Sequence, residues 1–208
     1  NALKFNLTNI TNDQPDQGYE NKILGLGVST SFEQYKDIYT NIGVNATYDD
    51  LRTTGGASSS LKKQAGEFTE LTTDYGFSLD KRNRSFMPTD GFISGFNQSL
   101  PLYADKPFIS NTITSSAYHS FSENIVGAGK IYFSSINGLN DEDVRLSKRR
   151  YLSSKRLRGF QRGKVGPLDG ADHIGGNYAA ALNFEANLPN ILPESSNTDV
   201  GLFLDFGN

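Results

Sequence analysis

Cysteine and tryptophan are absent from the 208-residue chain, and histidine occurs only as His119 and His173. Without cysteine there are no disulfides, no thiolate zinc sites and no sulfur nucleophiles, and two histidines do not make a multi-histidine metal centre. Long apolar runs are missing as well. The longest, Tyr178 to Leu182, has five residues, whereas a membrane-spanning helix needs about twenty, so a helical membrane protein is excluded. The opening residues, Asn1 to Leu7, have neither a starting methionine nor the basic head and apolar body of a signal peptide. The chain is therefore read as beginning downstream of any leader, and the lack of one carries no information about compartment.

Charge is scarce overall but unevenly placed. The formal net charge is −3, yet the segment 145–164 holds nine of the twenty basic residues and no acidic one, leaving eleven basic against twenty-three acidic residues elsewhere. A basic segment in an acidic body has three readings: a solvated loop, a nucleic-acid patch, or a loop held by an acidic interior. The nucleic-acid reading lacks interleaved aromatics and a reader motif. The choice between the other two depends on where the carboxylates point.

What is present is alternation. Helical periodicity is nearly absent, and period-two patterns recur between clusters of Asn, Asp, Gly, Ser and Pro. Nine strands are expected near 2–11, 22–34, 39–51, 67–83, 90–103, 107–122, 125–138, 176–189 and 198–208, several long enough to cross a bilayer at a tilt. The clearest places Tyr178, Ala180, Leu182, Phe184, Ala186 and Leu188 on one face, against Asn183, Glu185 and Asn187 on the other. Elsewhere Val200, Leu202, Leu204 and Phe206 oppose Asp199 and Asp205, and Leu71, Tyr75 and Phe77 oppose Glu70 and Asp74.

Two all-β architectures carry such strands: a soluble sandwich with the apolar face inward, and a membrane barrel with that face outward around a polar lumen. The Gly, Ser, Asn and acidic content of the second face favours a lumen. Tyr39, Tyr48, Tyr103, Phe108 and Phe121, near strand ends, are expected in interfacial girdles. Residues 139–175 form a loop too long to be a simple connection, and it contains the basic segment.

Within that loop stands Leu157-Arg158-Gly159-Phe160, followed by Gly175-Gly176-Asn177 opening one strand and Phe203-Leu204-Asp205-Phe206-Gly207 in the next. Upstream, Asp80-Lys81-Arg82-Asn83-Arg84 precedes a turn at Pro88-Thr89-Asp90-Gly91. In this order the four landmarks resemble the barrel of BamA-type outer-membrane protein assembly factors, the bacterial surface antigen family. They cover 80–208; residues 1–79 agree in strand pattern alone. One departure is Ser153-Ser154 where the family usually has Gly-Gly before the Arg-Gly-Phe motif, so a different path into the loop is expected.

The resemblance implies an antiparallel transmembrane β-barrel fragment, about nine strands of sixteen, with the loop 139–175 folded into the lumen and Arg158 paired there with Asp205 and Glu185. By alternation both carboxylates face inward, and a hairpin turn near Pro193-Glu194 would make them diagonal neighbours, roughly 7–8 Å apart. Arginine suits the task because its fork engages a carboxylate through two parallel hydrogen bonds. Gly159 is expected to let the backbone approach the wall, and Phe160 to anchor the loop tip. The family further implies insertion and folding of β-barrel clients in a Gram-negative outer membrane, POTRA-type repeats upstream, roughly four more strands before Asn1 and three after Asn208, a lateral seam, contacts with lipid and periplasmic accessory lipoproteins, and no enzymatic activity, cofactor or nucleic acid. Two-partner secretion transporters and TamA-type translocation factors share the motif and are the alternative.

Other chemistry-bearing residues carry blander expectations. His119 with Ser116 and Ser120 is read as structural or lumen-lining, His173 as solvated, and Asp141-Glu142-Asp143 as a solvated acidic turn lacking the spacing of a calcium loop. Gly25, Gly27, Gly127 and Gly129 lie within strands and precede no phosphate-cradling helix. No metal site is expected.

Overall fold

The computed structural model describes residues 2–189, 191–192 and 198–208. Nine long strands form one antiparallel sheet: β1 (Ala2–Gln14), β2 (Tyr19–Tyr35), β3 (Ile38–Thr53), β4 (Gly66–Asp80), β5 (Gly91–Ala104), β6 (Phe108–Ser122), β7 (Ile125–Gly138), then β10 (Tyr178–Leu188) and β11 (Val200–Gly207). Between β7 and β10 the loop carries a small hairpin, β8 (Leu168–Asp169) and β9 (Asp172–His173). Spatial order follows chain order through β7, and β10 pairs directly with β7. The single α-helical turn among the described residues, α1 (Ser59–Lys62), lies between β3 and β4, and no helix is long and apolar enough to cross a membrane.

The alternation sorts the side chains as the pleat requires. On the outer face Phe5, Leu7, Leu26, Phe184, Leu204 and Phe206 are exposed, while the opposite face of β10 buries Ala179, Ala181 and Asn183. The inner face mid-sheet is small and polar, with Gly27, Asn45 and Thr72 in one cross-strand row and Asn41, Gly76 and Asn97 in another.

Consecutive hairpins put connections at two ends. One end has the two-residue links 36–37 and 123–124 and the longer turn 81–90; the other has α1, the turn at Pro15–Gln17 and the whole of 139–177. In the turn 81–90, Arg82 grips Asp80 at 2.8 and 2.7 Å, and the Asn83 carboxamide oxygen accepts from the Thr89 and Asp90 amides. Gly91 sits at φ +89°, where a β-carbon would run into the Lys81 carbonyl. These side-chain contacts end β4 at Asp80, earlier than alternation suggested.

Three small cores lie on the inner side. Leu146 of the loop packs with Tyr19, Leu51, Leu61 and Phe68; Leu152 and Leu157 pack on Ala179 and Ala181; Val144 packs with Phe108 and Ile136. Phe108 is therefore an inward core residue and not part of an outer girdle, because its register is that of Ser110 and Thr112. Tyr39 likewise falls on the inner row, opposite Glu33.

Candidate functional site: a basic loop clamped to the inner wall

The loop is built as a run of anchored turns. A 3-10 turn at Leu146–Lys148 buries Leu146, and Arg150 bridges Gly176 through both backbone bonds, 2.7 and 3.0 Å. Gly175 permits that crossing: at φ +67°, a β-carbon there would lie 2.6 Å from the Tyr151 ring and 2.9 Å from the Arg150 carbonyl. The Tyr151 hydroxyl donates to the His173 carbonyl at 3.1 Å, and burial raises its phenol above the ordinary value. Asn177 accepts from the Ile136 amide at 2.8 Å and delivers the chain into β10.

Ser153 turns the chain without a left-handed residue. Its carbonyl accepts from the Arg156 and Leu157 amides at 2.9 and 3.1 Å, and neither serine has positive φ. The turn brings Arg158 to the wall between β10 and β11. Its Nε and Nη2 donate to the two oxygens of Asp205 at 2.7 and 2.6 Å, its own amide donates to Asp205 at 2.9 Å, and its Nη1 lies 3.0 Å from Glu185. The guanidinium also lies 3.9 Å from the centre of the Phe203 ring. Asn183 completes the set, donating to Asp205 at 2.8 Å and to the Arg156 carbonyl at 2.7 Å. The pairing is Asn183 with Asp205 and Glu185 with Phe203, so the carboxylates are diagonal neighbours as the alternation requires. The proposed turn centre, Pro193-Glu194, falls outside the described residues.

Two neighbours of Arg158 act differently from the sequence reading. Gly159 has φ +85° with open space where a β-carbon would point, so it serves backbone conformation and not close approach. Phe160 is 58 % exposed, and Leu157, 5 % exposed, is the apolar anchor. Lys130 reinforces the wall by bonding Glu185 at 2.5 Å.

A second clamp was not legible as a motif. Arg145, 4 % exposed, places Nη2 2.5 Å from Glu70 and Nη1 3.4 Å from Asp49, with the Phe68 ring 4.6 Å away. Lys148 also bonds Glu70, and Ser147 and Asn21 donate to Asp49 at 2.6 and 2.8 Å. Its design repeats the first: Asp49 faces Phe68 and Glu70 lies two residues on, as Glu185 faces Phe203 with Asp205 two on. Parity alone would have placed Asp49 and Glu70 inward; only the β3–β4 register makes them a pair.

The remaining sequence candidates do not converge. Gly175, Gly176 and Asn177 belong to the loop's return, while Pro88, Asp90 and Gly91 lie in a turn at the other end of the sheet. His119 is on the outer face of β6 against Phe121, with Ser116 and Ser120 on the opposite face, so they are no nucleophile–base set. His173 pairs within the small hairpin, its Nδ1 buried. Asp143 binds Arg149 at 2.8 Å and Glu142 binds Lys106 at 3.2 Å.

Apolar outside, polar within, crossed on the inside by a salt-bridged basic loop, this is the wall of a β-barrel of outer-membrane type. The chain belongs to the Omp85 superfamily, whose domain matches residues 1–208. Its fold is similar to that of BamA from Haemophilus ducreyi, solved without POTRA domains 1–3, with a TM-score of 0.84 at 18 % identity over 99 % of this chain and 46 % of that one. It is also 25 % identical over 140 residues to a SAM50-like protein of Schizosaccharomyces pombe, covering 64 % of this chain and 30 % of the relative. The chain thus spans less than half the length of either.

Proposed function

We propose that this chain is part of the barrel of a protein insertase that folds β-barrel proteins into a bacterial outer membrane. The observation that carries the reading is the Arg158–Asp205–Glu185 clamp. A loop tied at both walls obstructs a passive pore and fixes the inner surface at which a nascent strand would be guided. Membership in the superfamily and the likeness to BamA and to a SAM50-like protein support it. In this reading the protein does no covalent chemistry: unpaired backbone groups at a barrel edge recruit an incoming strand, because hydrocarbon leaves them no other partner. Its partners are lipid, unfolded barrel clients and periplasmic accessory lipoproteins. Depletion of the full-length protein from its own cells, followed by outer-membrane proteomics, tests the proposal. A broad fall across unrelated barrels is expected. Loss of one secreted partner, or of a few autotransporters alone, would instead identify a dedicated transporter of the two-partner secretion or TamA type.

A further inference from the structure

The cations of the loop divide cleanly by partner. Arg145, Lys148 and Arg158 serve the clamps, Arg149 binds Asp143, Lys164 binds Asp16, and Arg156 stacks on Tyr132 at 3.5 Å. Three remain, Arg150, Lys155 and Arg162, and among the described residues none has a carboxylate within ion-pair distance. All three line one cavity of about 710 Å³ between the loop and the turn joining β1 to β2. Of the two acidic residues on its wall, Asp13 and Asp16, the latter is already taken by Lys164 at 2.5 Å.

Arg150 is the most constrained of the three. One terminal nitrogen donates to the Ser110 hydroxyl, and Nε is buried without a partner. Burial without an opposing charge lowers its affinity for its proton, the opposite of what the Asp205 carboxylate does for Arg158. A half-buried guanidinium left unneutralised is costly, and an anion in the adjoining cavity offsets that cost.

We propose that this cavity is a binding site for a multiply charged phosphate anion, held by the combined charge of Arg150, Lys155 and Arg162 on its wall. The anion is either free in solution or the phosphorylated headgroup of a lipid. Neither source depends on the insertase reading.

The test is calorimetric titration of inorganic pyrophosphate into the full-length protein in neutral detergent, with Arg150→Gln and the double variant Lys155→Gln/Arg162→Gln alongside. Saturable binding is expected, weakened by about tenfold or more in each variant, because each loses charge-assisted bonds. Lys155 and Arg162 are exposed to the cavity, so the double variant keeps the test valid if Arg150→Gln fails to fold. Competition with a short-chain phosphatidic acid set against glycerol 3-phosphate assigns the source: displacement by the lipid at a concentration where the free monoester fails supports a lipid headgroup, and equal displacement by both supports the free anion. No binding to the full-length protein, as when carboxylates elsewhere in the chain already neutralise the three cations, overturns the proposal, and so does equal affinity in wild type and both variants.

Discussion

Arg158 and Asp205 share two parallel side-chain bonds and one backbone bond, whereas Glu185 receives a single bond from the same guanidinium. Removing one member of a buried pair leaves the other uncompensated, at about 3–5 kcal/mol. The Arg158 side chain is 29 % exposed, so the low end of that range is expected here. Accordingly Asp205→Asn should lower the thermal midpoint of the full-length protein in detergent more than Glu185→Gln, and Arg158→Lys should not restore it, since an ammonium cannot span both oxygens. The apolar anchor is tested at the same scale. Leu157→Ala empties a site 5 % exposed and is expected to cost about 2–4 kcal/mol, while Phe160→Ala, at a ring 58 % exposed, should leave the melting curve unchanged. An equal loss from both would mean that Phe160 carries the loop tip after all.

Between elements, each clamp ties the loop to a different strand pair, β3–β4 through Arg145 and β10–β11 through Arg158. They share no partner, so the destabilisations of Arg145→Ala and Arg158→Ala should add within about 0.5 kcal/mol, whereas Arg145→Ala and Glu70→Ala should show strong coupling in a double-mutant cycle. The small hairpin β8–β9 has its own tie. Asp169 accepts from the Ser58 hydroxyl at 2.7 Å and from that of Ser60, and these bonds lower its affinity for a proton below the ordinary carboxylate value of 3.8. A carboxylate so shifted contributes its stability above pH 3.8 and loses it as pH falls further. Pepsin cutting within 162–171, normalised at each pH to its rate on an unstructured peptide, should therefore rise as pH drops from 4 toward 2, and Asp169→Asn should flatten that dependence.

For the molecule as a whole, the exposed outer rows fit lipid and not water. Leu26, 65 % exposed, lies mid-strand among Phe5, Leu7 and Val28; Leu26→Arg is expected to cost about 2–4 kcal/mol when the full-length protein is folded into lipid vesicles. Thr72 on the inner face of β4 lies in a polar row with Gly27 and Asn45, and Thr72→Ser should leave vesicle folding unchanged.

Strand number, face assignment and the diagonal placement of Glu185 and Asp205 were legible in the sequence, because a period of two survives in any local window and a diagonal pair needs only one hairpin's register; that Arg158 meets them was implied by the family resemblance alone. Three things were not. Phe108 read as a girdle aromatic because alternation names two faces without saying which one the loop covers, and here Val144 of the loop packs on it. Gly159 and Phe160 were given contacts that only the loop's path could assign. The Arg145 clamp joins residues up to 98 apart in the chain and has no local signature. The sequence by itself determined an alternating sheet with an acidic inner face and a basic loop to meet it. The tertiary structure alone decided which cation meets which carboxylate and which of them have none, because charge pairing is a short-range contact between segments whose separation no periodicity encodes.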